Sequence, residues 1–149
     1  LGDKGFIWIV IGLILIAQKK YRKIGFILLI ALLITSIIGE GIIKNIVHRA
    51  RAFITYPDIK LLITPPTSFS FPSGHTASSF TAAVVLGYYF KRWRFIFYIL
   101  ASLIAFSRLY LFVHYPSDVI AGIILGIISG LLTIKVINNM KKNKQISKS

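Results

Sequence analysis

The sequence predicts an all-α fold: a polytopic transmembrane helical bundle with five helices in this chain. Three observations lead there. The 149 residues are 56% hydrophobic, with a mean hydropathy of +0.77, far more apolar than an ordinary soluble domain. The apolar residues fall in long runs, and basic clusters separate the runs. Those runs lack the alternation of barrel strands, and backbone groups in lipid must pair internally, which leaves helices. No polar linker interrupts the pattern, so residues 1–149 read as a single membrane-embedded domain.

The first run, from about Gly5 to Ala17, is short for a bilayer, which takes roughly 20 residues, and is expected to begin further upstream. Leu1 is not Met, and no basic signal-peptide region surrounds it, so the chain is expected to be a fragment or a processed form. The second run is Ile24 to Ile43, and the third begins near His75 and ends at Phe90. The fourth starts at Phe95 and carries Arg108 near its far end. The fifth spans roughly Ser117 to Asn138. Ala52 to Phe71 is the one long stretch expected to be non-helical, since Pro57, Pro65, Pro66, Thr67, Ser68 and Ser70 are turn formers. Its apolar members, Leu61, Leu62, Ile63, Phe69 and Phe71, are expected in the outer interface.

Eighteen Lys and Arg against four Asp and Glu give a formal charge of +14. Nucleic acid is one partner for such a balance, but the positions exclude it. Lys19, Lys20, Arg22 and Lys23 share one loop; Lys91, Arg92 and Arg94 share another; Lys135, Lys141, Lys142, Lys144 and Lys148 cluster at the last helix end. This is the positive-inside pattern of a multi-pass plasma (inner) membrane protein, with these loops and the C-terminal tail cytoplasmic. Anionic lipid headgroups are their expected partners. The segments around Lys44–His75 and Arg108–Pro116 then face outward, as does Leu1, which calls for another helix upstream. The chain has no cysteine, which excludes disulfides, thiolate metal sites and cysteine nucleophiles.

Three polar motifs fall on that outer side. Lys44 and Arg51 lie seven residues apart, about 20° short of two helical turns, so a continuous helix would project both from one face. Two such cations suit a doubly charged phosphate; taken alone, they fit a basic helix end reaching for headgroups better. Pro72-Ser73-Gly74-His75 opens a helix, with Ser73 as a candidate N-cap and Gly74 allowing a ligand near the backbone. Free amides at a helix start bind anions. Arg108 sits inside an apolar run, where a charge calls for a function. Asp118, four residues after His114, can fix the tautomer of that histidine and leave its other nitrogen as a nucleophile. A metal pair is the weaker alternative, because no further His, Asp or Glu cluster supplies ligands. Glu40 precedes Lys44 in the favourable i, i+4 order and is expected to position it. His48 falls on nearly the same face and is a second residue that can line the site, though a bystander role fits it better.

Together the motifs resemble the type II phosphatidic acid phosphatase superfamily of membrane lipid phosphatases, related to the vanadium haloperoxidases. The family pattern is Lys-x₆-Arg-Pro, Pro-Ser-Gly-His and Ser-Arg-x₅-His-x₃-Asp. This chain matches at Lys44, Arg51, Pro72, Ser73, Gly74, His75, Ser107, Arg108, His114 and Asp118, and departs at Ala52, where the family has proline. The resemblance implies that His114 is the nucleophile forming a phosphohistidine and that Asp118 orients it. It implies that His75 protonates the leaving oxygen and then activates water. Lys44, Arg51, Ser73, Gly74 and Arg108 would hold the phosphate. It further implies no metal and no cofactor, and a six-helix core, so that one N-terminal helix is expected to be missing here.

The expected activity is hydrolysis of a terminal phosphate from a lipid (di)phosphate at the outer face, undecaprenyl diphosphate first, in the service of cell wall biogenesis. Phosphatidylglycerophosphate and phosphatidate are the alternatives within the class, and a non-catalytic lipid-binding membrane protein is the alternative outside it. The intact His75, His114 and Asp118 argue against the last. Nothing in the sequence specifies an oligomeric state.

Overall fold

The computed structural model describes residues 5–56, 58 and 61–146. Leu1, Pro57 and Lys148, expected outside, in a turn and in the tail, lie outside the described residues. The helices are α1 (Phe6–Ala17), α2 (Arg22–Ser36), α3 (Lys44–Val47), α4 (Ala52–Thr55), α5 (Gly74–Tyr89), α6 (Arg94–Tyr110) and α7 (Pro116–Ile146). Five are long, α3 and α4 are single turns, and no strand occurs among the described residues. A π-helical stretch, Ile37–Ile43, joins α2 to α3, and a 3₁₀ turn, Lys91–Trp93, leads into α6.

Helix α5 is the axis of the bundle, packed against α7, α6 and α2. Thr76 through Gly87 are buried without interruption. A helix covered on every side shows no apolar stripe, which explains its weak sequence pattern. Its hydroxyls are satisfied inside the protein: Ser79 Oγ accepts from Trp8 Nε1 at 3.0 Å, and Thr81 pairs with Thr35 at 2.8 Å. By length and composition, Arg22–Thr55, Lys91–Tyr110 and Pro116–Ile146 are long and apolar enough to cross a membrane. Helices α1 and α5, with 12 and 16 residues, are shorter. On α6 the exposed residues Phe95, Ile99, Leu103 and Phe106 form a helical stripe directed away from the bundle.

The α5–α7 seam is set by glycines. Gly122, Gly126 and Gly130 recur every fourth residue on the face of α7 that meets α5. A Cβ at Gly122 would stand 2.7 Å from the Ser73 carbonyl oxygen, and one at Gly126 would fall on the Ala77 carbonyl oxygen. Small residues permit that approach between apolar helices.

Two expectations are corrected. Helix α7 continues to Ile146 rather than ending near Asn138, because residues 138–146 hold no Gly or Pro and include good helix formers such as Lys, Gln and Met. Lys141, Lys142 and Lys144 therefore stand on a helix, not past its end. The stretch from Ala52 to Phe71 is not wholly irregular, since Ala52–Thr55 makes one helical turn.

Candidate active site

Lys44 and Arg51 do not share a helix face. The chain leaves α3 at His48, whose φ of 49° is left-handed, and Arg51 is an extended N-cap residue of α4. The two cations converge on the following loop instead. Ser68 Oγ accepts from Lys44 Nζ at 3.4 Å and from Arg51 Nη2 at 3.1 Å, and the Ser68 carbonyl accepts from Arg51 Nε at 2.7 Å. Lys44 also pairs with Glu40 Oε1 at 2.7 Å, as its spacing predicts. Both cations are only 3% exposed, so their charges act in a medium far less screening than water.

These groups wall a cavity of about 780 Å³. Its lining includes Lys44, Arg51, Gly74, His75, Arg108 and His114, drawn from five separate stretches of chain. The start of α5 presents Gly74 and His75; the end of α6 presents Arg108, whose guanidinium donates to Ser107 Oγ at 2.9 and 3.1 Å.

Ser73, expected to hold phosphate, takes another place, while Glu40 and His48, expected beside the site, stay out of the cavity wall. Ser73 occupies the N-cap position, but its buried hydroxyl pairs with Thr76 at 2.9 Å and caps no amide. It does not line the cavity, which leaves the first amides of α5 uncapped by that side chain. His48 packs edge-on against Phe69, ring centres 4.5 Å apart, and is not in the cavity wall. Glu40 stands behind Lys44 rather than in that wall.

His114 lies in the short connection between α6 and α7 and is buried. Arg51 Nη1 is 3.3 Å from its Nε2. A guanidinium can only donate, so Nε2 offers its lone pair and the neutral ring carries its proton on Nδ1. That nitrogen is 3.5 Å from Asp118 Oδ2 and 3.4 Å from Ser70 Oγ. Burial holds His114 below the ordinary imidazole range; Arg51 and Lys44 push the same way, against the opposing pull of Asp118. The ring is thus kept neutral to lower pH than an exposed histidine.

Asp118, fully buried in the first turn of α7, accepts more than His114. Ser70 Oγ donates to Oδ2 at 2.5 Å, the Tyr115 amide to the same oxygen at 2.9 Å, and Arg49 Nη1 to Oδ1 at 2.7 Å. Its own carbonyl accepts from the Ser73 amide at 3.0 Å, tying α7 to the start of α5. Arg49, Ser68 and Ser70 escaped the sequence reading. Loop serines carry no periodic signal, and Arg49 sits inside Lys44-x₆-Arg51, where it reads as one more interfacial cation.

Ala52 stands at the first position of α4, a place that favours proline. Arg51 before it has φ −79° and ψ 156°, the conformation proline imposes on its predecessor. Ala52→Pro is therefore expected to fold and to gain roughly 0.4–1 kcal/mol from a stiffer unfolded chain. A lower melting temperature in detergent would refute this.

Fold and site together define a membrane-embedded phosphatase of the lipid-phosphatase class: helices that span a bilayer, and at their end two histidines, a buried carboxylate and three cations around one cavity. The chain belongs to the PAP2 superfamily, whose family model matches residues 6–142. It is 35% identical to the undecaprenyl-diphosphatase of Sulfolobus acidocaldarius over 147 residues, covering 97% of this chain and 71% of that protein. The crystal structure of Aquifex aeolicus LpxE superposes with a TM-score of 0.70 at 31% identity, over 88% of this chain and 83% of that one. A transmembrane PAP2-type phosphatidylglycerolphosphate phosphatase from Bacillus subtilis superposes with a TM-score of 0.68 at 26% identity, over 93% and 72% of the two chains.

Proposed function

We propose that this protein hydrolyses the terminal phosphate of a polyprenyl diphosphate through a phosphohistidine at His114. The observation that carries the mechanism is the ring orientation, with Nε2 toward Arg51 and the cavity and Nδ1 toward Asp118. Nε2 attacks the terminal phosphorus, a P–N bond forms, and the P–O bond to the lipid phosphate breaks. His75 gives the leaving oxygen its proton. Water then attacks the phosphohistidine, His75 takes a proton from it, and inorganic phosphate leaves with Nε2 restored. Lys44, Arg51, Arg108 and the Gly74 amide stabilise charge on the phosphoryl oxygens. Ser73, expected among them, contributes its backbone fold rather than its hydroxyl.

Support for a lipid substrate comes from a second cavity of about 300 Å³ between α1, α2 and α5. Ile9, Leu29, Leu32, Leu33 and Ala77 make it apolar, and Gly74 borders both cavities. A chain seated there keeps its phosphate at the start of α5. Each methylene withdrawn from water is worth about 0.8 kcal/mol, but a bilayer already offers much of that, so selectivity among tails is expected to be weak. The undecaprenyl-diphosphatase relative, alike over 97% of this chain, supports the polyprenyl choice.

Purified protein is expected to release phosphate from undecaprenyl diphosphate faster than from glucose 6-phosphate, and to do so in chelator, since three cations supply the positive charge. Equal turnover of the sugar phosphate would overturn the lipid assignment. Loss of turnover in chelator, restored by magnesium, would overturn the metal-free mechanism. Faster turnover of phosphatidylglycerophosphate would keep the chemistry and change the substrate.

The basic loops support a site on the outer face. The chain has no cysteine of its own, so cysteines introduced at Thr67 and Asn143 report its orientation. A membrane-impermeant thiol reagent is expected to label position 67 and spare 143 in intact cells; the reverse pattern would invert the topology.

A further inference from the structure

We propose that Arg49 is a positioning residue for the phosphoryl-transfer step, holding the Asp118 carboxylate in the orientation that aligns His114. This rests on the assignment of His114 as nucleophile and goes beyond it, since Arg49 is an unspecified position of the first motif, to which the pattern gives no role.

The contact between His114 and Asp118 is loose. Nδ1 to Oδ2 is 3.5 Å, outside the 2.7–3.2 Å of an ordinary N–H···O bond. A contact of that length does not set the direction of a carboxylate. Three other donors do, and Arg49 commands two of the routes. Its Nη1 donates to Oδ1 at 2.7 Å and to Ser117 Oγ at 2.6 Å. Its backbone carbonyl accepts from the Ser70 amide at 2.8 Å, which fixes the residue whose hydroxyl donates to Oδ2. One residue therefore secures both oxygens, one through its side chain and one through its backbone. The third donor, the Tyr115 amide, lies on the same turn as Asp118 and moves with it.

The guanidinium is itself held. It stacks on the Tyr115 ring, 4.0 Å from the ring centre, and the Tyr115 hydroxyl bonds to Thr55 at 2.7 Å. An exposed ion pair contributes about 0–1 kcal/mol. Here the carboxylate is fully buried and the guanidinium side chain is 35% exposed, and charge-assisted hydrogen bonds are roughly twice as strong as neutral ones. Arg49 thus adds a full positive charge to the neutral donors Ser70 and Tyr115 that hold Asp118.

Two properties of Arg49 separate in the test: its charge and its fork. The groups that act on His114 are Arg51 and Lys44, which disfavour the imidazolium, and Asp118, which favours it. Glu40 is paired with Lys44, and Arg108 and His75 line the same cavity. Arg49 offsets part of the Asp118 charge. Removing that offset stabilises the imidazolium, so the acid limb of kcat/KM moves to higher pH. Keeping the charge without the fork leaves the limb in place and costs alignment only.

The experiment uses the full chain in detergent with undecaprenyl diphosphate, comparing wild type, Arg49→Gln and Arg49→Lys, with thermal melts alongside. Arg49→Gln is expected to lower kcat on the order of 10²-fold, the effect of a misaligned reacting group, at nearly unchanged KM. Its acid limb should move up. Arg49→Lys is expected to recover part of kcat with the acid limb of the wild type. Wild-type kcat in Arg49→Gln overturns the proposal. So does an equal loss in both variants that follows their melting temperatures with no movement of the acid limb, since that is a purely structural role. If the wild type releases no phosphate from undecaprenyl diphosphate, the polyprenyl assignment fails and the three proteins are compared on phosphatidylglycerophosphate instead; if it turns over and Arg49→Gln matches it, the Arg49 assignment alone fails.

Discussion

His114→Ala is expected to abolish turnover, by on the order of 10⁴-fold or more, as loss of a nucleophile does in enzymes whose catalytic groups act as a unit. The geometry leaves no substitute. Ser70, the nearest hydroxyl, is buried and already donates to Asp118. His75 reaches the cavity from the start of α5, a separate element from the one that carries His114. His75→Ala should behave differently. Loss of a general acid costs roughly 10²–10⁴-fold, and with a good leaving group the phosphoenzyme forms but hydrolyses slowly. Labelled phosphate should remain covalently bound in His75→Ala and be absent in His114→Ala. Label retained by His114→Ala would move the nucleophile elsewhere.

Gly126→Leu is the second large effect, and it involves no catalytic group. The new Cβ would meet the Ala77 carbonyl oxygen, with Phe80 Cβ at 2.9 Å and the Thr81 amide nitrogen at 3.0 Å. Two of the three obstacles are backbone, which cannot rotate away. Overpacking a core commonly costs about 1–3 kcal/mol, and the upper end or more is expected where backbone blocks relief. Helices α5 and α7 must separate, and with them the bond from the Ser73 amide to the Asp118 carbonyl. The melting temperature and kcat should fall together. Ile128→Leu, on the exposed side of α7, should change neither. An unaltered melting temperature in Gly126→Leu would refute the close-packed seam.

The helices were legible in the sequence because lipid enforces continuous apolar runs and charge marks their ends. The end of α7 was not, because beyond Asn138 the residues are polar but remain good helix formers, and hydropathy does not report helicity. Lys44, Arg51, Gly74, His75, Arg108 and His114 were legible because cations, histidines and a helix-opening glycine are costly or unusual in an apolar chain, and the cavity gathers all six. The relation of Lys44 to Arg51 was misjudged because a helical wheel assumes a helix, and the left-handed turn at His48 breaks it. Ser73 was misjudged because residue type alone does not say that a neighbouring hydroxyl, Thr76, takes the bond an amide was expected to donate.

The outward stripe of α6 has a mechanical consequence. Phe95, Ile99, Leu103 and Phe106 present their side chains to the surroundings, and the same rod ends at Arg108 in the cavity wall. A thicker or thinner hydrocarbon layer tilts or shifts a spanning helix at a cost of fractions of a kcal/mol per Å. Displacement of α6 moves Arg108 relative to His75 and His114, which ride on α5 and ahead of α7. Acyl-chain length in the host bilayer is thereby expected to alter the shape of the cavity wall, acting from outside the protein.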